Sequence, residues 1–325
     1  AGGAQVGAVA GGVTTLYLDT DGVAGAADLV LRLTGSFTAT DLAVAGTDVT
    51  YAPVPVPPDP TPVPSPGGGD TGQGGATGDT LTLQPGGGPV DAGEGDDSVT
   101  GSTGADTVSG GSGADQVAGG DGLDMIYGNI GSDLLYGNVG NDSLFGGQDG
   151  DTVFGGKDDD QVFGNLGADM VYGNQGRDSV SGGEGADSVF GGKDDDQVFG
   201  EGGDDRVEGN LGADVVYGNQ GNDSVLGGEG ADTLFGGKDD DVLTGGAGAD
   251  LLEGGFGADV FVFRSGDGAD TVADFRFAEG DRLDVGGRGW TVAATDGGVL
   301  VTLDDGETIR LLGVAPGDPT AAWFV

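Results

Sequence analysis

From Ala92 to Val262 the chain repeats a nine-residue unit without insertion or deletion, so 171 consecutive residues hold 19 copies. By position the unit reads G-G-x-G-x-D-x-U-x, with U apolar. Asp stands at position six in all 19 copies, position eight is apolar in all 19, and position one is Gly in every copy except the first, which has Ala92. One unit is too short to be stable alone, so the copies must stack on one another.

The residue types say how. Gly at positions one, two and four opens backbone conformations closed to other residues and lets carbonyls turn inward around a tight loop. Asp at position six adds a carboxylate at a fixed place on that loop. The last three positions suit a short strand, with U facing one side and its neighbours the other. Two units then make an 18-residue coil of turn, strand, turn and strand. Stacked coils give two parallel sheets whose U side chains meet inside, and two columns of turns each carrying Asp. At roughly 4.8 Å per coil, neighbouring carboxylates in a column repel unless they are neutralised. A hard cation with oxygen ligands resolves this. Calcium accepts carboxylates and carbonyls in flexible geometry, whereas magnesium wants a tighter octahedron and keeps its waters. One site between each unit and the second after it gives about 17 ions, which would bring the charge from −44 to about −10.

Composition needs that cation too. The 325 residues include 76 Gly, with 55 acidic residues against 11 basic ones. Such a chain struggles to offset its ordering entropy by burial. No basic face for nucleic acid can be assembled, since no Lys or Arg lies between Arg32 and Lys157. An anionic membrane surface repels the chain, and no stretch is long and apolar enough for a bilayer span. With no Cys and no His, disulfides, thiolate or His-ligated metal sites, a Ser-His-Asp triad and a Cys-His pair are excluded. The chain starts at Ala1 without a basic-then-apolar leader, which is read as processing or as a fragment of something longer.

Four regions are expected. Residues 1–51 read as a small β segment or the end of a larger domain, with strands at Thr15–Leu18 and Leu29–Leu33 around a turn at Asp19-Thr20-Asp21-Gly22. Residues 52–78 read as a linker, since eight of 12 Pro fall between Pro53 and Pro66 and Gly follows. Residues 79–262 hold the repeats. Residues 263–325 read as a β cap, with hairpin strands Trp290–Ala294 and Val299–Leu303 and a further strand at Thr308–Val314. The stretch Gly164–Gly200 recurs closely at Gly209–Gly245, five units on. An odd shift moves each copied unit to the opposite side of the coil, so the two sides are expected to be equivalent.

The unit resembles the calcium-binding nonapeptide of the RTX (repeats-in-toxin) proteins secreted by Gram-negative bacteria. The run Gly268-Ala269-Asp270-Thr271-Val272-Ala273-Asp274-Phe275 and the terminus Trp323-Phe324-Val325 are similar to that family's capping and type I secretion region. The resemblance implies an all-β fold, a right-handed parallel β-roll with a C-terminal β capping region. It implies calcium held by turn carbonyls and by Asp97, Asp106, Asp115, Asp124, Asp133, Asp142, Asp151, Asp160, Asp169, Asp178, Asp187, Asp196, Asp205, Asp214, Asp223, Asp232, Asp241, Asp250 and Asp259, with Asp270 from one degenerate unit offset by two residues. It also implies export by a type I secretion apparatus, folding on calcium outside the cell, and a secreted, extracellular or cell-surface location.

Two departures bear on the turns. Position four is Asp at Asp149, Asp158, Asp194 and Asp239. Position two is Asn at Asn129, Asn138, Asn165, Asn174, Asn210 and Asn219, Ser at Ser102 and Glu at Glu201. Asn tolerates left-handed backbone, and an Asp carbonyl at position four stays available, so calcium is expected at all these turns.

Blander readings compete. The position-six Asp could be turn formers alone, but Asn and Ser would then replace it in some copies. Position nine carries ten aromatics, among them Tyr136, Phe154, Tyr172 and Phe190. In-sheet packing is preferred over a contact surface for protein or glycan. Asp19, Asp21 and Asp28 read as a turn, because Val30 stands where a calcium loop wants Glu. Repetition accounts for every carboxylate pair, so catalysis is not expected. The preferred function is a non-catalytic calcium-binding structural protein in a surface-layer or adhesin-like assembly, with self-assembly or a cell-surface polysaccharide as partner. The alternative is the folding and secretion module of a secreted enzyme or toxin. An ice-binding surface would want regular Thr or Asn at position three, which is too mixed.

Overall fold

The computed structural model describes residues 74–86, 89–315 and 321–325 in full, and residues 5–6, 13–18 and 29–34 as backbone strands. The chain divides into two units, Ala1–Ala52 and Pro53–Val325. In the first, Gln5–Val6, Val13–Leu18 and Leu29–Thr34 form an antiparallel three-stranded sheet, with Thr14 opposite Leu33 and Leu16 opposite Leu31. These contain the two strands expected from alternation. The turn at Asp19–Gly22, the acidic position Asp28 and the Pro-rich stretch up to Gln73 lie outside the described residues.

The second unit is a parallel β-solenoid of about eleven coils. Strands pair with the second strand along the chain at an offset of 18, as in Leu135 opposite Val153 and Val153 opposite Val171. Odd and even strands therefore separate into sheets of 12 and 14 strands. Between them lie the position-eight side chains, from Val99 to Phe261, each at most 1% exposed. This is the period of two half-coils made into a core. The duplicated block behaves as its odd shift requires: Met170–Gln175 lies in the 12-stranded sheet and its copy Val215–Gln220 in the 14-stranded one.

The strands are longer than three residues. Leu134–Val139 runs from position seven through position three of the next unit. Positions two and three also pair across coils, as in Asn138 opposite Gly156 and Val139 opposite Lys157. The turn is thereby confined to positions four to six. The ladder continues because position two adopts left-handed backbone while still offering its carbonyl to the next coil; the Asn residues there have φ of 78–83°.

Position-nine rings stack along each sheet. Tyr136, Phe154, Tyr172 and Phe190 form one ladder with centroids 4.8–5.2 Å apart, and Arg206 lies over the last ring. Tyr127, Phe145 and Phe163 form another at 5.0–5.1 Å, and Phe199, Tyr217 and Phe235 a third at 4.8–4.9 Å. The spacing is that of neighbouring coils, which is what in-sheet packing requires.

At the N-terminal end the roll includes residues that composition placed in the linker. Gly74 N–H donates to the Asp91 carbonyl at 3.0 Å, and Thr80–Thr82 pairs with Ser98–Thr100. At the other end Arg282–Asp284 extends one sheet. Ala269–Val272, Thr308–Leu312, Gly298–Leu303 and Trp290–Thr295 extend the other. The hairpin Trp290–Thr295/Gly298–Leu303 is antiparallel, as its turn residues suggested. The terminus docks on this cap: Trp323 is buried against Phe275, Phe324 stacks on Trp290 at 4.2 Å, and Val325 N–H reaches the Leu283 carbonyl at 3.1 Å. Among the described residues no helix is long and apolar enough to cross a membrane.

Candidate metal centre

Each position-six Asp folds back into its own turn. At every member but Asp106 its Oδ1 accepts the backbone N–H of the Asp one coil earlier. One column runs from Asp97 through Asp115, Asp133, Asp151, Asp169, Asp187, Asp205, Asp223 and Asp241 to Asp259, with links of 2.7–3.0 Å. The other runs from Asp106 through Asp124, Asp142, Asp160, Asp178, Asp196, Asp214, Asp232 and Asp250 to Asp270, with links of 2.8–3.1 Å. All the Asp residues named as ligands from sequence therefore stand in two files, each at most 4% exposed.

The second carboxylate oxygen has no such partner. Oδ2 is buried and without a hydrogen bond at Asp97, Asp115 and Asp133, at Asp124 and Asp142, and at every column member from Asp151 to Asp250. A buried carboxylate oxygen with no donor is costly. The space beside it is defined by the position-one Gly. A Cβ on Gly173 would stand 2.5 Å from Asp178 Oδ2 and 2.5 Å from the Gly191 carbonyl oxygen of the next coil. A carboxylate and a carbonyl thus converge with no proton between them. Oxygen donors drawn from two coils fit a hard cation of flexible coordination, which is calcium's chemistry. Among the described residues no three acidic side chains meet at one point, so backbone carbonyls must complete any ligand set.

Burial, followed by the neighbouring carboxylates, pushes these groups far above the ordinary range. Asp133 and Asp169 rise to about 7, Asp151, Asp160, Asp196 and Asp205 to about 8, and Asp241 to about 9. Asp151, Asp160, Asp196 and Asp241 share their turns with the position-four residues Asp149, Asp158, Asp194 and Asp239, whose charges add to the repulsion. Those position-four residues hold φ of 73–74°. Their carbonyls face the position-four Gly of the next coil, as the Gly113 and Gly203 carbonyls do. The substitution leaves the turn's oxygen in place and adds negative charge beside it.

The ends of the columns differ. Asp79, one coil before Asp97, joins the first column, since Asp79 N–H donates to Asp97 Oδ1 at 2.5 Å. Asp281, 22 residues after Asp259, accepts the Asp259 N–H at 3.2 Å. Neither was read from sequence as a column member. Asp79 carried a visible signal, its spacing of 18 from Asp97, whereas four extra residues in the cap hid Asp281. Terminal carboxylates are also satisfied from within. Asp79 Oδ2 accepts Gly75 N–H at 2.6 Å, and Asp106 Oδ2 accepts Ser102 N–H at 2.7 Å and Oγ at 2.9 Å. Asp106, named as a ligand from sequence, is therefore set apart from the interior turns: like Asp79 it takes the N–H four residues back, and it takes the Ser102 hydroxyl as well.

Filling one cradle is expected to remove its ion. Gly173 has ordinary backbone, and a Cβ there would press directly on the Asp178 carboxylate and the Gly191 carbonyl that form the cradle. Gly173→Ala should lower bound calcium by one or two ions and raise the calcium midpoint of folding several-fold. Gly104→Ala is the control, because its Cβ meets nothing within 4 Å. Equal calcium titrations for the two variants would show that the cradle holds no ion.

A model of the RTX calcium-binding nonapeptide repeat matches overlapping windows that together cover residues 91–261. No curated protein matches the chain. Among solved structures, it is similar to a hyperactive, Ca2+-dependent, β-helical antifreeze protein from an Antarctic bacterium, with 21% identity over 65% of this chain and 80% of that one, TM-score 0.46. The AlgE6R3 subunit of the Azotobacter vinelandii mannuronan C5-epimerase shares 28% identity over 41% of this chain and 78% of its own, TM-score 0.29. The extracellular lipase LipA from Serratia marcescens shares 16% over 60% of this chain and 44% of its own, TM-score 0.23.

Proposed function

The chain belongs to the RTX calcium-binding nonapeptide repeat family, and on that premise we propose that it is a secreted, non-catalytic protein that folds on calcium outside a Gram-negative cell and serves a structural role there, in a surface-layer or adhesin-like assembly. The observation that carries this reading is the pair of Asp columns with orphaned inner oxygens. They supply about 17 places for ions along a solenoid and make its rigidity conditional on calcium. The site residues are the column Asp from Asp97 to Asp270 named above, together with the turn carbonyls.

Among the described residues the carboxylates pushed to about 6 or higher all belong to the columns, so the largest perturbations lie in the metal turns. That favours a structural use over a reaction site. Export would follow the family's one-step type I route, with the C-terminal region as signal. Electron microscopy of the secreted protein in millimolar calcium tests the assembly. Ordered sheets or filaments that disperse with chelator are expected; strictly monodisperse particles would sink the assembly and leave the module of a secreted enzyme or toxin as the better reading.

A further inference from the structure

The first Asp column ends on a side-chain cation. With Asp281 at position six, Arg276 falls at position one of an extra turn, Arg276–Asp281, where the regular repeats from Gly101 onward have Gly. Its backbone N–H donates to Asp281 Oδ2 at 2.5 Å. Its Nη1 donates to the Gly255 carbonyl oxygen at 2.7 Å, and lies 3.7 Å from Asp274 Oδ2 and 3.6 Å from Glu279 Oε2. Gly255 is position two of the last regular repeat. The Gly254 and Gly255 N–H groups are taken by the Asp274 carboxylate at 2.9 Å. On the far side of the extra turn, Arg282 Nη1 covers the Gly280 and Asp281 carbonyls at 2.6 and 2.7 Å.

We propose that Arg276 is the terminal cation of this column: a guanidinium tethered to the chain that does for the last turn what a bound ion does for the interior turns, and so sets where the calcium array stops. Four carboxylates gather where the column leaves the repeats. Asp281 Oδ1 accepts the Asp259 backbone N–H, and Asp274 and Glu279 flank the guanidinium. An interior turn offers a carboxylate oxygen and a carbonyl with no donor between them. Here a charged N–H stands on a different carbonyl, that of position two at Gly255, beside the carboxylates, and offsets part of their charge without metal. Arg suits this place because it stays protonated and cannot leave, whereas an ion at the edge of an array has fewer coils to hold it. Arg276 is a positioning residue in this scheme.

The inference rests on calcium filling the interior turns, and its test separates the two. The intact chain is folded in calcium and its bound ions are counted by native mass spectrometry, with amide exchange read at Gly254–Asp259. Parent protein that binds no calcium would overturn the calcium reading itself. With calcium bound, Arg276→Gln should carry one more ion than the parent and make protection of Gly254–Asp259 calcium-dependent, while Arg276→Lys should keep the parent count. Equal counts and equal protection in parent and Arg276→Gln would overturn the role of Arg276. Should Arg276→Gln fail to fold at the parent's calcium level, recovery at higher calcium with the extra ion supports the role, and failure at saturating calcium refutes it.

Discussion

Chelation of calcium at pH 7.5 is expected to abolish the sheet signal of residues 92–262, and calcium is expected to restore it cooperatively. In each interior coil the favourable core contribution comes mainly from two position-eight side chains, about 1.5–3 kcal/mol apiece when fully buried. Against them stand two carboxylates whose inner oxygens are buried without a donor. An uncompensated buried charge costs several kcal/mol, so ionised and metal-free coils lose more than their core supplies. The loss repeats coil after coil, and a solenoid has no other core to fall back on. Magnesium at the same concentration should restore little, because it demands near-octahedral geometry and gives up its waters reluctantly. Far-UV circular dichroism with and without chelator measures this directly. A spectrum unchanged by chelator at pH 7.5 would remove the ion from the account of folding.

The parts of this arrangement that periodicity controls were readable beforehand. Asp at every ninth residue and an apolar residue two places later already gave two sheets, one core line and two carboxylate columns. The cap was partly readable, because its hairpins carry ordinary turn residues such as Asp296-Gly297. Where the period breaks, spacing fails as a guide. Asp281 sits 22 residues after Asp259, and Arg276 occupies a position that Gly holds in the regular repeats from Gly101 onward, so neither is recognisable until the coil is closed in space. Asp106 shows a different limit. Its unit, Gly101–Ser109, matches the pattern at position six, yet Ser102 supplies two donors to the oxygen that is orphaned elsewhere. Whether a carboxylate is hungry for a cation depends on one backbone N–H, which residue types alone leave undetermined. The strand length was also hidden, because Gly and Asn at positions one and two look like turn residues and nonetheless lie within the strands as they pair along the coils.

Without calcium, the chain is expected to be more ordered at pH 5 than at pH 8.5. In the folded state the column carboxyls are raised, to about 7 at Asp133, about 8 at Asp151 and Asp160 and about 9 at Asp241, first by burial and then by like charges. In the unfolded chain they titrate near 3.9. Between these values the folded state holds more protons than the unfolded one, so stability falls as pH rises. The stabilisation is fully present below about pH 4 and is lost as pH climbs through about 6 to 9. At pH 5 a proton can occupy the inner oxygen that calcium otherwise neutralises; at pH 8.5 nothing does. The unfolded chain is already ionised from about pH 6 to 8.5, so folding from it onto calcium exchanges no column protons there; protons are released only where calcium binds a chain already ordered with protonated columns. Circular dichroism in chelator at the two pH values, in dilute solution and above the isoelectric point near 4.1, is the measurement. If the column Asp only shaped turns and kept ordinary acidity, they would be ionised at both pH values and order would not change between them. Order that stays flat or grows with pH would therefore return the carboxylates to solvent and leave the columns without need of an ion.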